Sequence, residues 1–386
     1  MILAIYNKMY NRALNLQEIL KNKSLLLLGP RQTGKSTLIG REFPSAFTIN
    51  LAERDTYRAY SARPELLRQR LPEGTKTVVV DEAQRLPEIF DEIQVIVDRD
   101  PRIRVVVTGS SARKLRTKGI NLLPGRIWQR LLHPLVSCEL QKARIQDRVI
   151  RGSLPGILDS EHFKEELSQY VGLYLEEQIR AESVTRSVGN FSRFLTVAAL
   201  TNGEQLNYSN ISNDAEVKIN TVRAYYQILK DTLIGHELES FKDTKSRKSV
   251  TIPKFYLFDT GVVNGILNRF EVLPGTEIYG KMFEHLVFLE LKAFIDYRRS
   301  DYSLHYWRSH TKLEVDFLLN REIAIEVKSS GRVADKEENS MLALAEETPL
   351  KRRIIVCNEK ARRKTERGTE IIPIEEFLDM LWGGEF

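Results

Sequence analysis

Four consecutive leucines, residues 25–28, run directly into the segment GPRQTGKST at residues 29–37. A continuous apolar run is typical of a strand that is covered on both faces of a parallel sheet. Glycines let the following backbone bend so that successive N–H groups point at an anion, and a helix that begins near Gly34 adds its positive end. The sequence therefore predicts a strand, a phosphate-binding loop and a helix, an order typical of an α/β fold.

The rest of the N-terminal region continues this pattern. Three more apolar runs, at residues 46–51, 77–82 and 103–110, predict buried strands. Between the last two runs, five apolar residues have the spacing of one helix face: Leu86, Ile89, Phe90, Ile93 and Val97. Strands that alternate with helices in this way predict a parallel sheet covered by helices.

The glycine-rich segment matches the pattern G-x-x-x-x-G-K-[ST]. In this pattern the lysine, here Lys35, reaches the β- and γ-phosphates, and the hydroxyl of Ser36 ligates Mg²⁺. The sequence has no Asn-Lys-x-Asp guanine motif, so we predict ATP and Mg²⁺ as cofactors. The predicted nucleotide-binding residues are Gly29, Pro30, Arg31, Gln32, Thr33, Gly34, Lys35, Ser36 and Thr37.

Two acidic residues, Asp81 and Glu82, end the strand predicted at residues 77–82. An aspartate in this place holds Mg²⁺, and the next glutamate orients the attacking water. The alternative is that the pair only caps the next helix. Thr108 and Ser110 end another strand, where they either contact the γ-phosphate or simply form a turn.

Three arginines follow this strand, at positions 113, 126 and 130. An arginine can complete the phosphate site of a neighbouring subunit, and we predict Arg126 for this role, in a homo-oligomer. The alternative for each of the three is an ordinary solvated arginine.

The middle of the chain has the pattern of a helix–turn–helix, with helices predicted at residues 208–214 and 218–231. Two predicted strands follow, joined by the basic segment KDTKSRK at residues 242–248. A basic hairpin beside a helix–turn–helix is typical of a winged helix that binds DNA. Three polar residues would then reach phosphates or bases: Lys218, Asn220 and Arg223. The alternative is a winged helix that docks another protein.

A set of charged residues lies on two strands predicted near the C-terminus. Asp316 belongs to the first strand, and Glu326 and Lys328 lie two residues apart on the second, so that both point to the same face. Two carboxylates on neighbouring strands can hold a divalent ion, Mg²⁺ or Mn²⁺, while the lysine stabilises charge. The alternative is a salt bridge between Glu326 and Lys328 beside a solvated Asp316.

These segments together resemble a known family. LLLLGPRQTGKSTL, VVVDEAQRLPEIF, YWRSHTKLEVDFLL and IEVKSS are similar to segments of bacterial and archaeal AAA+-type ATPases with a conserved C-terminal domain of unknown function. The C-terminal order of one helix, three strands, a helix and a strand resembles the PD-(D/E)xK nuclease core. This resemblance implies that Glu284 is the helix-borne carboxylate near the metal. Val315 replaces the proline of that motif, and Glu216 stands where the family often has glycine.

Composition limits the class of protein. The chain has 386 residues, a net charge of +6 and two distant cysteines, which favours a cytoplasmic protein without disulfides. We find no signal peptide and no apolar run long enough to span a membrane. We predict three domains: a P-loop ATPase domain at 1–150, a winged-helix domain at 151–265 and a nuclease-like domain at 266–386.

The sequence therefore predicts an Mg²⁺-dependent ATPase that acts on DNA, with a metal-dependent nuclease-like C-terminal domain. Lys35, Glu82, Arg126, Asp316, Glu326 and Lys328 are the predicted catalytic residues. The predicted metal ligands are Ser36, Asp81, Glu284, Asp316 and Glu326. Two rival functions remain: an ATP-switched interaction protein with an inert nuclease fold, and a DNA motor or loader that does not cleave.

Overall fold

The computed structural model describes residues 10–110, 125–175, 188–298 and 301–386. The chain divides into two compact units. One unit comprises Met9–His133 together with Asp231–Ile234, and the other comprises Pro134–Lys230 together with Gly235–Phe386. The three domain boundaries given above stay predictions.

A five-stranded parallel sheet forms the centre of the N-terminal unit. The strand order is β2-β3-β4-β1-β5, so the strand that precedes the phosphate loop lies between β4 and β5. This sheet confirms the predicted α/β class. The strands are β1 (Ser24–Leu28), β2 (Phe47–Asn50), β3 (Thr77–Asp81), β4 (Arg104–Gly109) and β5 (Ile127–Leu131).

Strand β5 has no counterpart among the strands predicted from sequence. It lies at the edge of the sheet, and its residues Ile127 and Leu131 are only half-buried while Gln129 is exposed. An edge strand does not need a continuous apolar run, because only part of its surface is covered. A continuous apolar run therefore does not mark this strand in the sequence.

Among the described residues of this unit, five α-helices accompany the sheet. They are α1 (Leu16–Asn22), α2 (Lys35–Glu42), α3 (Arg54–Ala62), α4 (Leu66–Gln69) and α5 (Ile89–Arg99). Helix α5 buries Ile89, Phe90, Ile93 and Ile96 in the core that also contains Val78 and Val80 of β3. The predicted helix face included Leu86, but α5 begins three residues later, and Leu86 packs in the same core from the preceding turn.

The second unit begins with a helical region. Its helices are α6 (Ile145–Arg151), α7 (Pro155–Leu158), α8 (Phe163–Gln169), α9 (Val188–Leu200), α10 (Tyr208–Asp214), α11 (Ile219–Asp231) and α12 (Thr260–Ile266). Helix α10 has the predicted bounds, and α11 begins one residue later than predicted. Glu216, in the turn between them, has a φ of 52°, the left-handed region that favours glycine. The turn therefore forms without the family's glycine.

Strands β6 (Gly235–Leu238) and β7 (Lys254–Leu257) follow α11 and pair antiparallel. The segment between them contains the basic residues of the predicted wing. Its Arg247 is not directed to solvent alone, because the guanidinium contacts Glu347 at 3.0 Å and Glu346 at 2.5 Å. Glu347 also accepts hydrogen bonds from the backbone N–H and hydroxyl of Ser246. These contacts tie the segment to the helix that contains Glu347.

A six-stranded mixed sheet, in the order β12-β13-β11-β10-β9-β8, occupies the C-terminal region. Its strands are β8 (Leu304–Arg308), β9 (Glu314–Leu319), β10 (Ile323–Lys328), β11 (Arg352–Cys357), β12 (Arg363–Lys364) and β13 (Glu370–Pro373). The helices around it are α13 (Glu277–Arg298), α14 (Asn339–Glu347) and α15 (Ile374–Gly383). The helices and strands from α13 to β11 follow one another in the predicted order. The sequence analysis did not predict β12, β13 and α15.

A fully buried carboxylate, Glu290 of α13, joins distant parts of this unit. It accepts hydrogen bonds from Arg148 at 2.5 Å, from the backbone of Ser137 at 2.8 Å and from the indole of Trp382 at 2.6 Å. Arg148 is also buried, with 1% of its surface exposed. Because a buried charge is costly without partners, this cluster fixes α6 and α15 against α13.

Within the described ranges, no helix is both long and apolar enough to cross a membrane.

Candidate functional site

The phosphate loop depends on glycine at two positions. A Cβ atom on Gly29 would lie 2.5 Å from the backbone oxygen of Leu132, a distance at which the backbone would have to move. Gly34 has a φ of 89° at the start of α2, a conformation that costs other residues energy. Close packing therefore requires glycine at position 29, and the left-handed backbone favours glycine at position 34.

Lys35 lies inside the loop rather than in solvent. Only 7% of its surface is exposed, and its Nζ donates to the backbone oxygens of Gly29 at 2.7 Å and Pro30 at 2.8 Å. Thr33 is also buried and donates to the oxygen of Pro30 at 3.0 Å. The loop is thus closed on itself, with the ammonium group held at its centre.

Burial lowers the pKa of Lys35 to about 8, although the carboxylates of Glu82 and Asp81 oppose this shift. Only the charged ammonium attracts phosphate strongly. We therefore expect ATP affinity to fall as the pH rises through 8, by up to about tenfold for each pH unit above the pKa. The measurement is the dissociation constant of ATP between about pH 7.5 and 9.5 at constant ionic strength.

The variant Lys35→Arg is the control for this pH dependence, because a guanidinium stays charged throughout this range. Its affinity for ATP should not vary with pH. An equally flat profile in the wild type would contradict the proposed titration of Lys35.

Ser36 and Asp81 meet beside the loop. The hydroxyl of Ser36, on α2, donates to Oδ2 of Asp81 at 2.9 Å. Thr108 donates to the other oxygen of Asp81 and accepts the backbone N–H of Glu82 at 3.0 Å. A hydroxyl and a carboxylate are oxygen ligands of the kind that Mg²⁺ binds, so these residues fit the predicted ion. Thr108 contacts Asp81 and orients the end of β3.

Glu82 has an unusual backbone and a defined side-chain partner. Its φ of 58° is left-handed, a strained conformation for glutamate that often marks a functional site. The amide of Gln84 donates both to the carboxylate of Glu82 and to the hydroxyl of Ser110, the latter at 3.2 Å. Sequence reasoning missed Gln84, although its place two residues after Glu82 was a usable signal.

The predicted arginines lie in different surroundings. Arg113 is outside the described residues. Arg126 contacts Asp98 at 2.6 Å, within the same unit. Arg130 belongs to β5, with its guanidinium 5.4 Å from the ring centre of Trp128. A role in a neighbouring subunit stays a prediction for Arg126.

A second group of charged residues lies in the C-terminal region, and we call Glu284, Glu314, Asp316 and Glu326 the carboxylate cluster. The pair Ile325–Phe317 is the last in the register of β9 and β10, and Asp316 and Glu326 are the next residues of the two strands. Oδ2 of Asp316 accepts the backbone N–H of Val327 at 2.8 Å. The structure therefore brings together the two carboxylates predicted from sequence.

Burial and neighbouring charges act strongly on this pair. Burial, together with Glu326 and Glu284, raises the pKa of Asp316 well above its ordinary value. Burial also raises the pKa of Glu326 to about 6, although Lys328 lowers it from 2.7 Å away. Burial lowers the pKa of Lys328, but Glu326 and Asp316 outweigh burial and raise it. Oε2 of Glu326 is buried and has no hydrogen-bond partner.

The other end of the carboxylate cluster contains a second lysine that sequence reasoning missed. Lys254 of β7 lies 2.7 Å from Glu314 and 3.3 Å from Glu284. Tyr256 of the same strand donates to Glu284 at 2.6 Å. Burial lowers the pKa of Lys254, but Tyr256, Glu284 and the other carboxylates outweigh burial and raise it. Oε1 of Glu284 therefore contacts both Lys254 and Tyr256.

The described part of the chain contains no group of three or more His, Cys, Asp or Glu side chains arranged to hold a metal ion. Asp316 and the free oxygen of Glu326 supply donors of the right chemistry, whereas Glu284 does not fit as a third ligand in this arrangement. The neighbouring His285 is fully buried and contacts the backbone oxygen of Leu257 at 2.6 Å, so it is a core residue.

The predicted DNA-contacting side chains of α11 and its preceding turn, Lys218, Asn220 and Arg223, are exposed. Arg223 lies over the ring of Tyr208 at 5.4 Å. In the segment between β6 and β7, Lys245 and Lys248 are exposed. The four basic residues among them, Lys218, Arg223, Lys245 and Lys248, supply positive charge at the surface of the unit.

A known family model covers the part of the chain that contains the phosphate loop. Residues 21–141 match the model of an AAA domain, a range that includes the glycine-rich loop, Asp81 and Glu82. This match supports a P-loop ATPase domain that binds ATP. The remainder matches two domains of unknown function, DUF8612 over residues 142–272 and DUF4143 over residues 279–377.

Individual relatives add little on function. The uncharacterized proteins Mb2031c of Mycobacterium bovis and Rv2008c of Mycobacterium tuberculosis are each 26% identical over 317 residues, 79% of this chain and 70% of theirs. Both are similar to this chain without a described activity.

The chain is also similar to several solved structures. The STAND protein PH0952 of Pyrococcus horikoshii, with a tetratricopeptide repeat sensor, has 14% identity and a TM-score of 0.23 over 75% of this chain and 48% of its own. This chain thus spans about half of its length. A DNA polymerase III gamma subunit-related protein of Thermotoga maritima has 11% identity and a TM-score of 0.24, over 57% and 96%.

Proposed function

We propose that the N-terminal unit hydrolyses ATP with Mg²⁺. The observation that carries this proposal is the contact between Ser36 and Asp81 at 2.9 Å, because it joins the phosphate loop to the end of β3 through two oxygen ligands. Ser36 and Asp81 would hold the ion, and the bound ion would neutralise charge that develops on the phosphates.

The loop residues perform the remaining tasks in this proposal. Lys35 exchanges the backbone oxygens of Gly29 and Pro30 for phosphate oxygens, and so its ammonium keeps hydrogen-bond acceptors in both states. Glu82 lies next to Asp81 and takes the proton of the attacking water as general base. Gln84 holds the Glu82 carboxylate until substrate is bound.

The variant Lys35→Ala tests the binding step. A hydrogen bond to a charged group contributes about 1.5–3 kcal/mol, so we expect ATP affinity to fall about 10- to 100-fold. The measurement is isothermal titration calorimetry with ATP and Mg²⁺. The matched control is Lys21→Ala, which removes an exposed lysine of the same unit and should bind ATP normally. Unchanged affinity in Lys35→Ala would reject the site.

The C-terminal region supports a second candidate function, which is metal-assisted cleavage of a phosphodiester. The buried oxygen of Glu326 without a partner favours it, because Asp316 and Glu326 then supply donors for one divalent ion. Lys328 lies 2.7 Å from Glu326, where its ammonium would stabilise negative charge on the phosphate. A bound ion would activate water or polarise the phosphate.

The exposed basic residues of the helix–turn–helix, together with Lys245 and Lys248, support DNA as the substrate. We propose that they contact the phosphate backbone as a winged helix. Since Arg247 contacts Glu346 and Glu347, we assign it to docking of the hairpin instead. Binding of this kind weakens steeply as salt increases.

Incubation with plasmid and single-stranded DNA tests this second function. The reactions contain Mg²⁺ or Mn²⁺, with and without ATP, and the variant Asp316→Asn is compared with the wild type. We expect the wild type to cleave and the variant to be inactive while it unfolds at a similar temperature. The control Asp301→Asn changes an exposed aspartate and should cleave normally.

If the wild type leaves both DNAs intact, ATP turnover distinguishes the rival functions. Turnover that DNA stimulates would favour a motor or loader. Turnover that is indifferent to DNA would favour an ATP-switched interaction protein with an inert nuclease fold.

A further inference from the structure

We infer that Lys254 is an internal cation at the Glu284–Glu314 end of the carboxylate cluster and that it excludes a divalent ion from this end. The inference rests on the proposed metal-binding role of the cluster. It also limits that role, because a single ion could then bind only at the Asp316–Glu326 end.

The contacts of Lys254 account for this exclusion. Its Nζ bridges Oε1 of Glu314 and Oε1 of Glu284, at 2.7 and 3.3 Å, and only 6% of its side chain is exposed. The ring of Tyr306 lies 5.4 Å from the ammonium, within the range of a cation–π contact. A buried ammonium with two carboxylate partners and an aromatic neighbour is held firmly in place.

The second oxygen of Glu314 and Oε1 of Glu284 also have further protein partners. Oε2 of Glu314 contacts Arg308 at 3.0 Å, so each oxygen of this carboxylate already faces a cation. Oε1 of Glu284 accepts the hydroxyl of Tyr256 as well as the ammonium of Lys254. A divalent ion here would have to displace these donors and would be repelled by two positive charges at short range.

The alternation of side chains along β7 explains how one strand supplies both partners. Lys254 and Tyr256 are two residues apart and therefore lie on the same face of the strand, next to α13 and β9. β7 pairs with β6 outside the six-stranded sheet. The charge balance of the C-terminal cluster thus depends on a strand that precedes it in the chain.

The Asp316–Glu326 end of the cluster differs because it has a carboxylate oxygen without a hydrogen-bond partner. Glu326 is 7% exposed, and its Oε2 is buried without a partner. Lys328 contacts only the other oxygen, Oε1, at 2.7 Å. A carboxylate oxygen that faces no donor is available to a cation, whereas those of Glu314 are not.

Manganese binding to the full-length protein tests this inference. We would titrate Mn²⁺ without nucleotide, in a background with Asp81→Asn so that the ATPase site contributes little, and count bound ions by electron paramagnetic resonance. The variants are Lys254→Met, which removes the internal cation, and Lys254→Arg, which keeps a positive charge. The melting temperature is measured for each protein with and without Mn²⁺.

We expect Lys254→Met to bind one more ion than its background or to bind Mn²⁺ at least about tenfold more tightly, since a nearby like charge has been removed. Its melting temperature should rise with Mn²⁺ more than that of the background, because the ion replaces the lost cation. Lys254→Arg should behave like its background. The double variant Lys254→Met/Glu284→Gln should lose the added ion, because one of its ligands is neutral.

Two results would overturn the inference: an unchanged ion count, affinity and melting response in Lys254→Met, or two cluster ions already bound in the background. If Lys254→Met folds only with Mn²⁺, this dependence supports the inference, whereas failure to fold with Mn²⁺ overturns it. If the background binds no ion and Lys254→Met binds one, exclusion by Lys254 holds while the proposed nuclease metal site fails. The control Lys281→Met removes an exposed lysine of α13 and should bind no added ion.

Discussion

The variant Glu82→Gln is expected to bind ATP with the affinity of the wild type and to hydrolyse it about 10²–10⁴-fold more slowly, the range for loss of a general base. Glutamine has the size of glutamate but cannot accept the proton of the attacking water. Binding is preserved because Lys35, Ser36 and the loop backbone are unchanged. Phosphate release at saturating ATP measures the rate, and calorimetry measures the affinity.

Glu88→Gln is the matched control for this experiment. Glu88 follows Glu82 closely in the sequence and is exposed. Its replacement by glutamine should leave ATP turnover unchanged. Turnover near the wild-type rate in Glu82→Gln would remove Glu82 from the mechanism and leave water activation to another group.

The variant Glu290→Ala is expected to lose about 3–5 kcal/mol of unfolding free energy, the cost of leaving one member of a buried ion pair without its partner. Arg148 would stay buried with its charge uncompensated, and the N–H groups of Ser137 and Trp382 would lose their acceptor. Equilibrium unfolding in urea measures the loss, with far-ultraviolet circular dichroism as the signal.

The control for Glu290 lies on the same helix. Glu277 contacts Lys281 at 3.3 Å, but 84% of its side chain is exposed, so Glu277→Ala should cost only about 0–1 kcal/mol. If Glu290→Ala and Glu277→Ala lost the same unfolding free energy, burial of Glu290 would not account for its contribution to stability.

Sequence patterns located the elements of both sites because the patterns are local. The run of leucines before Gly29, the lysine of the loop and the acidic pair at the end of β3 each follow from strand burial and phosphate chemistry within a few residues. The parallel sheet of the N-terminal unit confirmed the α/β class that these patterns predicted. The edge strand β5 was missed because half-covered strands lack a continuous apolar run.

The same reasoning identified Asp316, Glu326 and Lys328, since alternation along a strand decides which side chains share a face. It did not find Lys254, which reads as an ordinary residue at the start of an apolar strand. Its two acidic partners lie 30 and 60 positions farther along the chain. No local pattern connects residues at such separations.

The sequence alone thus determined the residue types and spacings of the phosphate loop, of the acidic pair at the end of β3 and of the carboxylates of β9 and β10. Only the tertiary structure decided which polar and charged side chains contact each other. Arg148 compensates Glu290, and Lys254 lies between Glu284 and Glu314. The physical reason is that a buried charge must find a partner in space, and packing of distant segments, rather than local periodicity, supplies that partner.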